Sequence, residues 1–145
     1  MKLYTIGFTQ KTAQQFFDLL KKNNVNCLVD IRLKPSGQLA AFTKKEDLRY
    51  FLKELINCDY IHLPILAPTN EILTTYRKDK NWIKYEKAFV NLLIERNVHE
   101  TLDKDFFKKN TCCLLCSEPT AEHCHRRLVS EYLENNWNDV EIIHL

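Results

Sequence analysis

Glycine and proline are scarce in this chain, with two glycines and four prolines among 145 residues. So few glycines exclude a collagen-like repeat, a flexible Gly/Ser linker protein and a Gly-rich phosphate loop. No apolar run approaches the roughly 18 residues that a membrane span requires. The opening segment from Met1 to Gly7 is too short and too polar to read as an export signal. An excess of one charge is missing as well. The 21 basic and 19 acidic side chains leave a net charge of +2, so any basic surface must be a local patch. The 45 % of apolar residues is ordinary for a folded core. The length suits one domain, which commonly runs about 100–200 residues. The expectation is a single cytoplasmic domain spanning residues 1–145.

Cysteine, in contrast, is plentiful, with six thiols. Disulfide frameworks belong to small exported domains that cannot build a core. In a chain of this length without an export signal, thiols are buried, metal-bound or reactive.

The apolar pattern alternates between the periods of strand and helix. Lys2 to Ile6 reads as a short strand closed by Gly7. Thr12 and Gln15 have capping-box spacing ahead of a helix carrying Phe16, Phe17 and Leu20. Cys27 to Ile31 reads as a buried strand, followed by an irregular stretch to Phe42. Thr43 and Glu46 repeat the capping spacing before a stripe of Leu48, Phe51, Leu52 and Leu55. Tyr60 to Leu63 is a third strand, stopped by Pro64. Trp82, Tyr85, Phe89, Leu92 and Leu93 share a helical face, and residues 97–110 hold a short helix around Leu102 and Phe106. Thr111 to Cys116 is a fourth strand. The last helix carries Leu128, Val129, Tyr132 and Leu133 and ends at Asn135 and Asn136. Val140 to His144 is a last strand. Alternating strands and helices predict an α/β layer fold around a mostly parallel sheet of about five strands. The long gap between the third and fourth strands reads as helical, with a lid or cap as one use for it.

In open parallel sheets, ligands bind outside the carboxyl ends of the strands. The chemically capable residues gather at those ends: Thr5 and Thr9 with the first strand, Asp30 and Arg32 with the second, Cys116 and Glu118 with the fourth. Cys124, His125 and Arg126 then open the last long helix. A thiol at a strand end beside a helix N-terminus has its pKa lowered and its thiolate made accessible. Arg126 and Arg32 are candidates to clamp an anion in two-point fashion, and Glu118 or His125 to move protons. The catalytic candidates are therefore Cys116, Glu118, Cys124 and His125, and the substrate-binding candidates Asp30, Arg32, Arg126, Thr5 and Thr9. Each also has an ordinary reading. Cys116 and Cys124 suit buried core positions, Arg126 a surface helix charge, and Asp30 with Arg32 an intrachain ion pair at a strand end. His62 reads as a packed histidine, Thr5 and Thr9 as turn residues, and Cys27 and Cys58 as core. Trp82, Tyr85 and Phe89 read as core rather than as a base-stacking platform, and Lys78, Lys80, Lys84 and Lys87 as a solvated face, with a phosphate-facing surface as their other reading. No cofactor is expected. Zinc is an alternative for Cys116, Cys124 and His125, with Cys112, Cys113 or His123 completing the set, but the spacing matches no paired C-x-x-C knuckle. Cys112 and Cys113 point to opposite faces of a strand, so at most one of them could join such a site.

On these residues the sequence resembles the family catalogued as domain of unknown function 488. The likeness spans nearly the whole chain. It rests on Thr5-Ile6-Gly7-Phe8-Thr9, on Val29-Asp30-Ile31-Arg32 with Pro35-Ser36 and Phe42, and on Cys116-x-Glu118 followed by Cys124-His125-Arg126. Two positions depart from the family pattern: Gly37 and Gln38 stand where an arginine is usual, and Thr9 where serine is common. The resemblance implies a cytosolic α/β protein and supplies no reaction. A weaker, fold-level likeness is to rhodanese-like domains, in which a strand ending in Asp-x-Arg and a later strand ending in cysteine also occur.

The residues favour an enzyme acting on a phosphate-bearing small molecule, nucleotide or nucleic-acid end. The alternatives are a nucleic-acid or nucleotide binding module without turnover, whose affinity would fall steeply with salt, and a structural zinc protein. The expected partners are an anionic small molecule or nucleic acid, and no membrane. The sequence sets no oligomeric state.

Overall fold

The computed structural model describes residues 1–145, with the side chain of Gln38 left aside. Five strands form one sheet: β1 (Lys2–Gly7), β2 (Cys27–Asp30), β3 (Asp59–His62), β4 (Cys112–Cys116) and β5 (Glu141–His144). Their spatial order is β3-β2-β4-β1-β5, and all four pairings are parallel. Seven α-helices surround the sheet: α1 (Ala13–Lys22), α2 (Lys45–Ile56), α3 (Asn70–Asp79), α4 (Trp82–Glu95), α5 (Val98–Thr101), α6 (Lys104–Lys109) and α7 (His125–Trp137).

The alternation of side chains along each strand divides the core into two layers. On one face Phe16, Phe17 and Leu20 of α1 and Leu48 and Leu52 of α2 pack against Ile6, Leu28, Cys113 and Leu115. On the other, Phe89 and Leu93 of α4 and Val129 and Leu133 of α7 pack against Leu3, Val29, Cys112 and Leu114. Cys112 and Cys113 therefore sit on opposite faces of β4, as the period of a strand requires. All six cysteines are free and buried.

With so little glycine, the chain turns at asparagine. Asn24, Asn57, Asn97 and Asn138 all have positive φ, and Asn57 and Asn138 end α2 and α7 in the left-handed conformation. Asparagine is the side chain that tolerates this region best after glycine. Thr12 caps α1 through a complete capping box with Gln15, as its spacing predicts.

The second capping signature does not form. Lys44 stands at the N-cap of α2 without a side-chain bond. The Thr43 hydroxyl is buried and engaged elsewhere: it accepts from Arg32 and donates to the Ala40 carbonyl. A buried guanidinium outcompetes the backbone N–H groups for that hydroxyl. Two other differences concern helix extent. Thr69 caps a separate helix, α3, that has no buried residue and so no clear apolar stripe in the sequence. The last helix runs through Asn135 and Asn136 to Trp137, whose buried indole holds the final turn against the core.

No helix among the described residues is long and apolar enough to cross a membrane.

Candidate functional site

Strands β2, β4 and β1 lie side by side, so their carboxyl ends form one rim. The chain leaves β1 toward α1 on one face and β4 toward α7 on the other, and the two loops part above the sheet. A cavity of about 610 Å³ lies at this divergence. That is where open parallel sheets place their ligands. Its floor is Cys116, Ser117, Cys124 and His125; one wall is the stretch after β2 from Arg32 to Ala40, and the other is α3 with the start of α4.

Cys116 ends β4 and is 4 % exposed. Its Sγ lies 3.2 Å from Nδ1 of His125, the first residue of α7. The other ring nitrogen, Nε2, is 2.9 Å from the Ile31 carbonyl, which can only accept. Nε2 therefore carries hydrogen, and the lone pair of Nδ1 faces the thiol. A thiol, a base within hydrogen-bond reach and a third group orienting the base make up an activated nucleophile. Burial pushes the Cys116 thiol up, but the Cys124 thiol, the backbone N–H groups of Glu118 and Ser117 and the Arg126 guanidinium more than reverse this, so its pKa falls below the ordinary thiol value. Cys124, the N-cap of α7, goes the other way: burial and the adjacent Cys116 raise it. Of the two thiols, Cys116 is the one poised to ionise.

Arg126 takes a different place from the anion clamp expected of it. It is 1 % exposed and does not line the cavity. Its Nη1 donates to the Glu118 carbonyl at 2.5 Å and approaches the Cys124 sulfur at 3.6 Å. Nε is buried with no partner among the described residues. Arg126 thus fastens the loop after β4 and supplies positive charge beneath the two thiols. Gly7 makes room for it. A Cβ built on Gly7 would lie 1.6 Å from the Glu118 carbonyl oxygen and 2.6 Å from Arg126 Nη1. Gly7 is thus required by close approach and not by backbone angle, since neither glycine has positive φ.

Asp30 and Arg32 form the intrachain ion pair that was one of their two readings. Arg32 Nε and Nη2 donate to the two Asp30 oxygens at 2.9 and 2.6 Å. Nη1 donates to the Thr43 hydroxyl and Nη2 also to its carbonyl. Tyr60 adds a hydroxyl bond to Asp30 at 2.6 Å. Four of the five guanidinium N–H groups are thus held within the protein, yet Arg32 still borders the cavity. His62 accepts no catalytic duty here; its Nε2 meets the Arg32 carbonyl at 2.8 Å.

The remaining candidates divide. Thr9 and Glu118 line the cavity. Thr5 does not: it is fully buried in β1, with its hydroxyl 2.6 Å from His144 Nδ1. The rim nevertheless unites Arg32, Cys116, Glu118, Cys124 and His125 in one pocket. Of the four lysines with a phosphate-facing reading, Lys80 lines the cavity; sequence reasoning missed the rest of the outer wall, where Lys34 and Arg77 bring cationic side chains and Tyr76 an aromatic one. The Thr69 cap was the available signal for α3, which carries Tyr76 and Arg77. Trp82 and Tyr85 both line the cavity, Tyr85 from a buried position, while Phe89 is core as expected.

One matching family model covers residues 12–133 and is described as Domain of unknown function DUF488. The chain belongs to this family. The match contains both the Asp30–Arg32 strand end and the Cys116–Arg126 segment that make the pocket. Neither a curated protein nor a solved structure matches the chain. The family carries no assigned reaction, so the chemistry rests on the pocket. The sulfurs of Cys116 and Cys124 and Nδ1 of His125 lie within 4.8 Å of one another. Two thiolates and an imidazole whose far nitrogen is held by a carbonyl are a donor set that suits zinc with one position open.

Proposed function

We propose that this DUF488 chain is a thiol-dependent hydrolase or transferase acting on a phosphate-bearing ligand in the cavity at the carboxyl ends of β1, β2 and β4. The observation that carries this reading is the Cys116–His125 pair at 3.2 Å, with His125 fixed by the Ile31 carbonyl at the cavity floor. Nδ1 takes the thiol proton, and the Cys116 sulfur attacks the electrophilic centre of the ligand. The bond to the leaving group breaks, and that group takes the proton back from Nδ1. Water or a second acceptor then releases the covalent intermediate, with His125 again holding the proton. The cationic groups at the mouth serve the anion, since Arg126 is committed to the Glu118 carbonyl. Glu118, exposed at the edge of the cavity, is a second proton carrier.

The test is turnover of a panel of phosphate esters and nucleotides by the wild-type protein and by Cys116→Ser. A hydroxyl is far less acidic than a thiol and is not ionised by this imidazole, so a fall of at least about a hundredfold is expected. Full activity in Cys116→Ser refutes covalent thiol chemistry. The zinc reading is favoured by the convergence of three donor atoms within 4.8 Å. Metal analysis of the purified protein separates the two: one zinc per chain makes Cys116 a ligand, and a metal-free folded protein leaves it a nucleophile.

A further inference from the structure

The outer half of the cavity has a composition that a bare phosphate does not need. Trp82 borders it at the start of α4, and the exposed His123 stacks on the indole with centroids 4.9 Å apart and planes 22° from parallel. Tyr85 stacks on the same indole at 5.1 Å and 24°. His123 has no side-chain hydrogen bond among the described residues, so the indole contact alone positions it. It belongs to the polar loop between β4 and α7, so its ring has the orientation that a planar ligand ring takes on an aromatic surface. Around the same mouth stand Lys34, Arg77 and Lys80, none of them paired with a carboxylate among the described residues. Within the lining only Glu118 is acidic. A stacked aromatic platform beside unpaired cations is the combination that recognises a base and its phosphates.

We propose that the ligand is a nucleotide whose base extends the Trp82–His123 stack while its phosphate group lies against Lys34, Arg77 and Lys80. This rests on the pocket reading above and narrows its substrate class from phosphate esters to nucleotides. The volume agrees: about 610 Å³ far exceeds one phosphate group and lies within the range of small-molecule pockets. A free nucleotide suits the site better than a nucleic-acid strand. The sheet closes the floor of the cavity at Cys116, where a continuing strand would have to pass.

The position of Trp82 provides the assay. The chain has two tryptophans, and the other, Trp137, is 5 % exposed in the core at the end of α7. Quenching of tryptophan emission is titrated with adenosine 5′-monophosphate, guanosine 5′-monophosphate, cytidine 5′-monophosphate, ribose 5-phosphate, inorganic phosphate and a single-stranded oligonucleotide. A nucleoside monophosphate is expected to quench saturably and to bind about 5- to 150-fold more tightly than ribose 5-phosphate, the factor one base–aromatic stack supplies. Trp82→Ala, with binding followed by calorimetry, should bring nucleotide and ribose 5-phosphate within about threefold of each other. Lys80→Ala should weaken all five phosphate-bearing small ligands alike. Equal affinity for ribose 5-phosphate and the nucleotides overturns the base platform, as does an unchanged preference in Trp82→Ala. Binding of the oligonucleotide alone overturns the free nucleotide, and no binding by any of these probes overturns the proposal outright. Cys116→Ser keeps the two readings apart. A variant that binds nucleotide normally and turns it over normally refutes the thiol mechanism and leaves the nucleotide site standing.

Discussion

Replacing Gly7 with alanine probes the packing on which the site depends. The added Cβ would sit 1.6 Å from the Glu118 carbonyl oxygen and 2.7 Å from the carbon of that carbonyl. Real Cβ atoms essentially never approach closer than 3.0 Å, so the two backbones must separate by about 1.4 Å or more. Neither can yield easily. Gly7 is bonded into β1 opposite Cys116, and Glu118 is held by Arg126 at 2.5 Å. Overpacking a core costs about 1–3 kcal/mol, and losing a hydrogen bond to a charged group about 1.5–3 kcal/mol. Together they predict a loss of about 2.5–6 kcal/mol, read from the urea midpoint at unchanged slope. The same separation carries the Ser117 and Glu118 N–H groups away from the Cys116 sulfur, so its thiol pKa climbs toward the ordinary value. Alkylation of Cys116 by iodoacetamide at pH 7 should therefore slow. Gly37→Ala is the internal control, because its Cβ would meet nothing closer than the Lys34 carbonyl at 3.5 Å and its φ is −62°. It should lie within about 0.5 kcal/mol of wild type. A Gly7→Ala protein as stable and as reactive as Gly37→Ala would refute the packing argument.

Asp30→Asn leaves the Arg32 guanidinium, 5 % exposed, facing a neutral amide in place of a carboxylate. Breaking a buried pair in this way costs about 3–5 kcal/mol, and a loss below about 1 kcal/mol in urea unfolding would show that Tyr60 and Thr43 suffice to hold the corner. Alkaline pH should unfold the protein for a separate reason. Burial, with the nearby Cys27 thiol, raises the Cys58 thiol to about 12, while the unfolded thiol titrates near its ordinary value of 9.0. A folded pKa above the unfolded one gives a contribution that is complete below about pH 9 and is lost as pH rises toward 12. Burial raises Cys113 in the same direction. Each such thiol adds a slope of about 1.4 kcal/mol per pH unit above pH 9, and Cys58→Ala should remove one of them. Stability that stays level from pH 8.5 to 10.5 would contradict this.

The layered fold was legible because strands and helices differ in period, and the strands here are apolar on both faces as a covered parallel sheet demands. Thr12 with Gln15 gave the start of α1 for the same local reason. Thr43 with Glu46 misled because a capping signature is local, whereas the partner that claims the Thr43 hydroxyl, Arg32, lies eleven residues away in sequence and is brought in by the sheet. Helix α3 was invisible as an apolar stripe because none of its residues is buried. The pocket floor was legible from strand ends alone, since whatever ends β4 must stand beside whatever ends β2 and β1. The direction of Arg126 was not. A side chain one residue into a helix can face the rim or the layer beneath it, and the choice was made by Gly7, whose missing Cβ leaves space for the Arg126 guanidinium and the Glu118 carbonyl.

The three sequence segments that carry the family likeness are joined by specific atoms. Gly7 gives the loop after β4 its place. The end of β2 does more than neighbour that loop: the Ile31 carbonyl accepts from His125 Nε2, while the Ile31 N–H donates to the Leu115 carbonyl next to Cys116. The tautomer of His125, and with it the basicity of the nitrogen facing Cys116, is therefore set by backbone from β2. The Asp30–Arg32–Thr43 network then fixes the backbone immediately after Ile31, with Arg32 N–H bound to Asp30 and the Arg32 carbonyl to His62. On this account the ion pair has a chemical consequence without touching a ligand. Loosening it lets the Ile31 carbonyl turn, and His125 can then place hydrogen on either nitrogen. Asp30→Asn should thus lower the rate of Cys116 alkylation at neutral pH in protein that is still folded, and Arg32→Lys, which keeps the charge but loses the two-point geometry, should lower it in the same direction.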